Sequence, residues 1–278
     1  MIISLVLGGL GNQCFQYALG RQLAHAQQGP LKLETGGYRL PKYARHPYLL
    51  DRFNIRAERA GPRDYLRLAS QVFRRSAVQF ERDGEFDPRV LELRRSTLLI
   101  GYWQSAGYFR DVAASIRAEL TLREPPAPAT RDMSARIAAT ESVAVHVRRT
   151  DYVENPKNAA LYEQCSLDYY RDAMLLIAQR VRSPHFFVFS DDPGWTRTHL
   201  RSDHPLTYVD HNDASRAHED LMLMRQCRHD IIANSTLSWW GAWLNDYAGK
   251  IVVSPRRWFK GGGGRREDLL LPEAWIRI

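Results

Sequence analysis

The stretch Ser142–Tyr152, SVAVHVRRTDY, constrains the fold more than any other part of the chain. Val143, Val145 and Val147 are β-branched and alternate with small residues and one histidine, which predicts a buried strand. The chain then turns polar at once, with Arg148, Arg149, Thr150 and Asp151 standing together where that strand must stop. In an open parallel sheet the ligand crevice lies beyond the carboxyl ends of the strands, so paired guanidinium groups there face an anion. A phosphate group is the natural candidate.

The surrounding sequence predicts such a sheet. Strands are expected at Val143–Val147, Phe186–Phe189, Leu206–Val209, Asp230–Ala233 and Ile251–Val253, with helices at Leu167–Val181, His218–Cys227 and Ser235–Asn245 between them. This βαβ alternation predicts an α/β fold with a mainly parallel sheet. Two further strands end in polar clusters: HFFVF runs into Ser190, Asp191 and Asp192, and DIIA runs into Asn234, Ser235 and Thr236. Asn234 or Ser235 can cap the helix that opens LSWWGAWL, where amides, hydroxyls and the positive end of a helix converge. Such an arrangement binds phosphate without a metal, although each cluster taken alone also reads as a plain capping motif.

The first half opens on an apolar strand, Ile2–Leu7, then a loop Gly8-Gly9-Leu10-Gly11-Asn12-Gln13, then a helix carrying Phe15, Leu19 and Leu23. Gly9 and Gly11 fit the start of a dinucleotide fingerprint, but Cys14 stands at the third glycine position. A strand is expected at Thr97–Trp103 and an amphipathic helix at Tyr108–Leu120. The irregular aromatic and basic run YRLPKYARHPYLLDRFNI suits a sugar-lining loop or a packed surface loop. PPAPAT, residues 125–130, is the best candidate linker and divides the chain into domains 1–130 and 131–278.

Other chemistries find little support. Glu81–Asp87 lacks the calcium-loop pattern, the tandem Asp191-Asp192 has the wrong spacing for a metal-binding DxD, and no metal is expected. Four glycines at 261–264 precede Arg265 and Arg266 without the Lys and Ser/Thr of a P-loop, and are left out of the site. Cys14, Cys165 and Cys227 form no CxxC pair, which predicts free thiols in a reduced compartment. The net charge of +8 admits nucleic acid, a membrane surface or an acidic small substrate, but the arginines are scattered rather than gathered on an aromatic-interleaved face. IISLVL is too short to span a membrane, so no targeting or transmembrane segment is expected.

GGLGNQCFQYALGRQLA, LLDRFNI, GYWQSAGYF, HVRRTDY, FSDDPGW and DLMLMRQCRHDIIANSTLSWWGAWLN, taken in order, resemble the α-1,2-fucosyltransferases of glycosyltransferase family eleven. The HxRRxD element is shared more widely among fucosyltransferases, so by itself it implies a GDP-fucose site and no particular linkage. The resemblance implies a GT-B-like architecture of two Rossmann-like domains facing a cleft, with GDP-fucose on the C-terminal domain and a β-galactoside glycan acceptor on the N-terminal side. It implies that Arg148 holds the β-phosphate with Arg149 secondary, that His146 lies near the nucleoside, and that Asp220 pairs with guanine. It places Ser235 and Thr236 on phosphate, and Gly9, Gly11, Asn12 and Gln13 facing the sugar diphosphate; Ser190, Asp191 and Asn234 complete the expected donor site.

No cofactor or nucleic-acid partner is implied. Inversion at the sugar requires a base for the acceptor hydroxyl, and Asp151 is the first candidate, Glu154 the second. Asp151 could instead pair with Arg149. A cytoplasmic enzyme is expected, with peripheral contact at the inner face of a membrane left open together with the oligomeric state and the identity of the glycan.

Overall fold

The structure is a computed structural model that describes residues 1–40, 46–72, 77–82, 84–150, 156–260 and 267–278. The chain divides into two compact units, one comprising Met1–Glu124 and taking in a short helix at Glu267–Leu270, the other starting at Pro125 and including Leu271–Ile278. Each unit is built on its own parallel sheet.

The first sheet contains β1 (Ile2–Leu5), β2 (Leu31–Glu34), β3 (Glu58–Arg59), β4 (Val78–Phe80) and β5 (Thr97–Ile100), in the order β3-β2-β1-β5-β4. All four pairings are parallel. Helix α1 (Leu10–Ala26) starts earlier than expected, so Gly11, Asn12 and Gln13 belong to its first turn rather than to a loop. The cause is local: Gly9 is extended, and its carbonyl at once accepts the N–H groups of Asn12 and Gln13 at 2.9 and 3.1 Å.

Strand β5 stops at Ile100, short of the expected Trp103, because the Glu81 carboxylate takes the N–H groups of Tyr102 and Trp103 at 2.7 and 2.9 Å. Trp103 is thereby held at φ +56°. The helix expected over Tyr108–Leu120 is broken into a 3₁₀ segment, Ala106–Val112, and an α-helix, Ala113–Glu119, with Phe109 at the kink. Two adjacent buried aromatics are pinned to different partners there, Tyr108 to Asp87 and Glu85 through its hydroxyl and Phe109 to the Phe15 ring.

The second sheet contains β6 (Glu141–Val147), β7 (Pro184–Ser190), β8 (Leu206–Val209), β9 (His229–Ile231), β10 (Val252–Ser254) and β11 (Ile276–Arg277), in the order β11-β10-β9-β6-β7-β8. Every pairing is again parallel. The expected strands are all present, with ends displaced by a few residues. The chain leaves β6 for β7 and β8 on one side and returns to β9 on the other, so the strand order reverses between β6 and β9.

The valine alternation in β6 has the expected consequence. Val143, Val145 and Val147 pack with Tyr170, Ala173, Met174 and Ile177 of the helix Leu167–Ala178 on one face. Ala144 joins Met133 and Ile137 of the helix Pro128–Ala138 and Leu223 and Met224 of the helix Ala217–Gln226 on the other. Each such fully buried aliphatic side chain contributes about 1.5–3 kcal/mol. The helix Pro128–Ala138 begins inside the Pro-rich segment because Pro128 stands in its first turn, where a missing N–H costs nothing.

The helix Thr236–Leu244 carries the tryptophans, with Trp239 stacked on Trp243 at 6.1 Å and tilted against Trp275 at 5.7 Å. It lies so close to the helix Ala217–Gln226 that a Cβ at Gly241 would stand 2.9 Å from the Met224 Cβ.

Candidate active site

The β6–β9 reversal is where an open parallel sheet binds its ligand. Val145 pairs with Ile231, and the two chains continue past this level to Arg148 on one side and Asn234, Ser235 and Thr236 on the other. Ser235 is the N-cap of the helix Thr236–Leu244, and its hydroxyl is not spent on capping. Ser235 and Thr236 are both partly exposed, so the hydroxyls and first amides of this helix are available to an anion.

Arg148 is held from β7. The Asp191 carboxylate lies 3.3 Å from the Arg148 guanidinium and accepts the backbone N–H groups of Arg149 and Thr150 at 2.9 and 3.0 Å. The Thr150 hydroxyl donates to the Asp191 carbonyl at 3.1 Å. Asp191 is thus a clamp that shapes the strand end, both of its carboxylate oxygens being engaged by the backbone and side chain of the Arg148–Thr150 segment. Ser190 likewise turns inward, its hydroxyl accepting the Asp192 N–H at 3.0 Å.

Arg149 points elsewhere than Arg148. Its guanidinium lies 3.8 Å from the centroid of the Trp195 ring and 3.7 Å from Asp192. This cation–π seat ties Arg149 to the Trp195 ring after β7.

His146 is only 4% exposed. Burial, reinforced by the Arg148 charge, pushes its pKa down to about 3, so the imidazole is neutral. Its Nδ1 is buried and makes no hydrogen bond among the described residues. A neutral ring with an unsatisfied nitrogen beside the Arg148 charge fits a polar ligand atom.

Asp220 lies in the helix Ala217–Gln226, and its pKa is raised to about 7 chiefly by burial, against a hydrogen bond from the Asn212 amide at 2.8 Å. Neighbouring Glu219 goes the other way. Burial would raise it, but hydrogen bonds from Thr130 and Arg216 outweigh that and keep it ionised.

Two of the expected contacts have amides that are hydrogen-bonded within the protein. Asn234 is buried, and its amide donates to the carbonyls of Glu163 and Trp258. Gln13 is fully buried, donates to the carbonyls of Gly8 and Pro47 at 3.0 and 2.8 Å, and accepts the Leu49 N–H at 2.9 Å. Both amides are committed inside their own unit. Gln13→Ala should therefore cost about 2–3 kcal/mol of stability, since it strands buried polar groups, while leaving nucleotide affinity unchanged; denaturation and calorimetry read the two separately.

Among the other N-terminal residues, Asn12 accepts a hydrogen bond from Gln104 at 2.9 Å. The glycine that the turn itself demands is Gly8, at φ +79° with Asn12 Nδ2 2.9 Å from where a Cβ would be. Gly9 is in an ordinary extended conformation, with His46 at 3.7 Å from its would-be Cβ, so packing alone does not require a glycine there. Gly11 is buried within α1. Asp151, Glu154 and the 261–264 glycine tract lie outside the described residues.

Two residues at these strand ends escaped the sequence reading. Trp195 seats Arg149 and is signalled only by FSDDPGW following the strand. Asn212 follows β8 in a fourth polar cluster, Asp210-His211-Asn212-Asp213, of the same kind as the three clusters that were singled out.

Two parallel-sheet α/β units give the chain a GT-B-like fold. The profile of Glycosyl transferase family 11 matches residues 85–277, and the chain belongs to that family. It is 32% identical to an alpha-1,2-colitosyltransferase of Escherichia coli, over 100% of this chain and 99% of that protein. It is 27% identical to the Escherichia coli O-antigen biosynthesis glycosyltransferase WbnK, over 99% of each. A galactoside 2-alpha-L-fucosyltransferase of Bos taurus matches at 29% over 52% of this chain and 41% of its own length.

Among solved structures, the fucosyltransferase NodZ from Bradyrhizobium superposes with a TM-score of 0.52 at 14% identity, covering 86% of this chain and 91% of its own. POFUT1 in complex with GDP-fucose gives 0.52 at 14%, covering 90% and 97%. These two likenesses concern the fold.

Proposed function

We propose that the protein transfers L-fucose from GDP-β-L-fucose to the 2-hydroxyl of a galactose in a glycan, with inversion and without a metal. The observation that carries this reading is Arg148, held by Asp191 at the β6–β9 reversal, one strand from the open N-terminus at Ser235 and Thr236. The acceptor oxygen forms its bond to the anomeric carbon as the bond to the β-phosphate oxygen breaks, and the electron pair leaves with GDP. Arg148 and the helix terminus stabilise the charge that grows on the diphosphate. The hydroxyl proton passes to a carboxylate, for which Asp151 and then Glu154 are the candidates.

A colitosyl donor is the second reading, favoured by full-length similarity to the alpha-1,2-colitosyltransferase. The two sugars differ by one hydroxyl. The deciding experiment incubates the enzyme with GDP-fucose or GDP-colitose and a panel of β-galactosides in EDTA, then locates the new linkage by mass spectrometry and NMR. Fucosyl transfer to the galactose 2-hydroxyl in chelator is expected. Transfer from GDP-colitose alone would move the assignment to the second reading, and activity abolished by chelator would remove the arginine from its cation-like role. Among the described residues no cluster of metal-ligating side chains is present and no helix is long and apolar enough to cross a membrane.

The Asp220 carboxyl gives this site a pH signature. Between its ordinary value near 3.8 and its folded value of about 7, the folded state keeps a proton that the unfolded state has released. Stability contributed at this position therefore falls as pH rises from 4 to 7 and is level above. Asp220→Asn should flatten that part of the profile and raise Tm at pH 8, while weakening GDP binding most where the carboxylate is ionised. Melting curves and calorimetry from pH 5 to 8 check both signs.

A further inference from the structure

The positive charge of the chain is not shared evenly between its two units. Residues 1–124 hold 19 Lys and Arg against 12 Asp and Glu, residues 125–278 hold 20 against 19, and the segment Gly264–Leu270 that joins the first unit has two of each. Almost all of the net +8 therefore resides in the first unit, outside the unit that carries Arg148 and Ser235, and the candidate active site does not account for it.

Part of that charge stands around exposed apolar side chains. The helix Pro62–Val72 buries Leu68 against Ile3 and Ala77, with Tyr65 and Leu98 packed beside them. Leu66 stands two positions before Leu68, about 200° around the helix, so it faces away from the sheet and is 71% exposed. Arg63 lies one turn before Leu66 and Arg67 next to it, and both are exposed. The one acidic residue of this helix, Asp64, is drawn to the helix start, where it accepts the Gly61 N–H at 2.9 Å. The outward stripe thus sets a leucine between two guanidinium groups with no carboxylate of its own helix to neutralise them.

Phe80 adds a second apolar point. It ends the edge strand β4 and pairs with Ile100, two positions after the pair Val78–Leu98. Side chains two apart share a face, so Phe80 stands on the side of the sheet where Leu98 meets the helix, and it is 60% exposed. Arginines by themselves suit any polyanion. A leucine set among them and a phenylalanine beside them suit a surface that offers anionic headgroups over an apolar layer.

We propose that this face of the first unit docks on an anionic lipid bilayer, with Arg63 and Arg67 meeting the headgroups and Leu66 and Phe80 entering the interface. The contact is separate from the transfer reaction and does not depend on which sugar the donor carries. Neither set of side chains suffices alone: a single shallow apolar anchor binds a membrane only marginally, and headgroup attraction is screened by salt.

The test is co-sedimentation of the full-length protein with vesicles of phosphatidylcholine containing phosphatidylglycerol and with vesicles of phosphatidylcholine alone. Binding is expected to the first only and should weaken as salt is added. Arg63→Gln combined with Arg67→Gln should weaken it about 30-fold, and Leu66→Gln and Phe80→Thr about 5- to 10-fold each. Arg180→Gln combined with Arg182→Gln removes the same charge from exposed positions of the second unit and should leave binding unchanged. All of these side chains are exposed, and thermal melts verify that each variant is folded. Failure of the wild type to sediment with the phosphatidylglycerol vesicles overturns the inference, and so does an equal loss in the two arginine pairs. Binding to single-stranded DNA that survives Leu66→Gln, with vesicles left unbound, would assign the charge to nucleic acid and overturn it as well.

Discussion

Arg148→Lys should lower kcat by about 10²- to 10³-fold, the equivalent of roughly 2.7–4 kcal/mol of transition-state stabilisation. Charge is conserved in this variant, so simple attraction for a diphosphate survives. What disappears is the planar fork that meets two phosphate oxygens at once and keeps its geometry while charge accumulates on the leaving group. The Asp191 carboxylate, 3.3 Å from the guanidinium, fixes that fork from behind, and an ammonium on a flexible stem cannot be fixed in the same way. Because the interaction strengthens as the bond to the sugar breaks, KM should change much less than kcat. Steady-state kinetics with GDP-fucose measure both, and near-normal turnover in the Lys enzyme would remove Arg148 from the leaving-group role.

Asp191→Ala should be the second most damaging change, on the order of 10²-fold in kcat/KM, the scale associated with a 1 Å misplacement of a reacting group. The carboxylate does three things at once: it holds the Arg149 N–H, the Thr150 N–H and the Arg148 side chain. Its loss frees the strand end that aims Arg148. Asp191→Asn retains one acceptor and should fall between wild type and Ala. A crystal structure or an arginine-resolved NMR spectrum of the Ala variant bound to GDP should show Arg148 displaced from the phosphates, and an Ala variant with full activity would mean that Arg148 orients itself.

How much of this was legible in the sequence depends on the range of each interaction. The parallel sheet and its strand ends follow from period-two valines and abrupt changes of polarity, both local, and so the position of Arg148 and of Ser235–Thr236 at strand ends was legible directly. Gln13 and Asn234 were assigned to the ligand because they stand in motifs expected to face one. Their actual partners, the carbonyls of Pro47 and Trp258, are 34 and 24 residues away, and nothing local announces them. The break at Phe109 has the same origin, since a helical pattern cannot show that adjacent aromatics answer to different partners. Asn212 was within reach. The rule that polar clusters at strand ends mark the site applied to β8 as much as to its neighbours.

The missing side chain at Gly241 links the positions of two helices that would otherwise be independent. One helix begins at the Ser235 and Thr236 hydroxyls and the other carries Asp220, and the bare glycine lets the two helices approach closely at Met224. The pair then behaves as a caliper of set opening: on the GDP-sugar reading proposed above it would gauge the span from nucleobase to pyrophosphate, and a methyl group at position 241 would reset the jaws for every nucleotide alike.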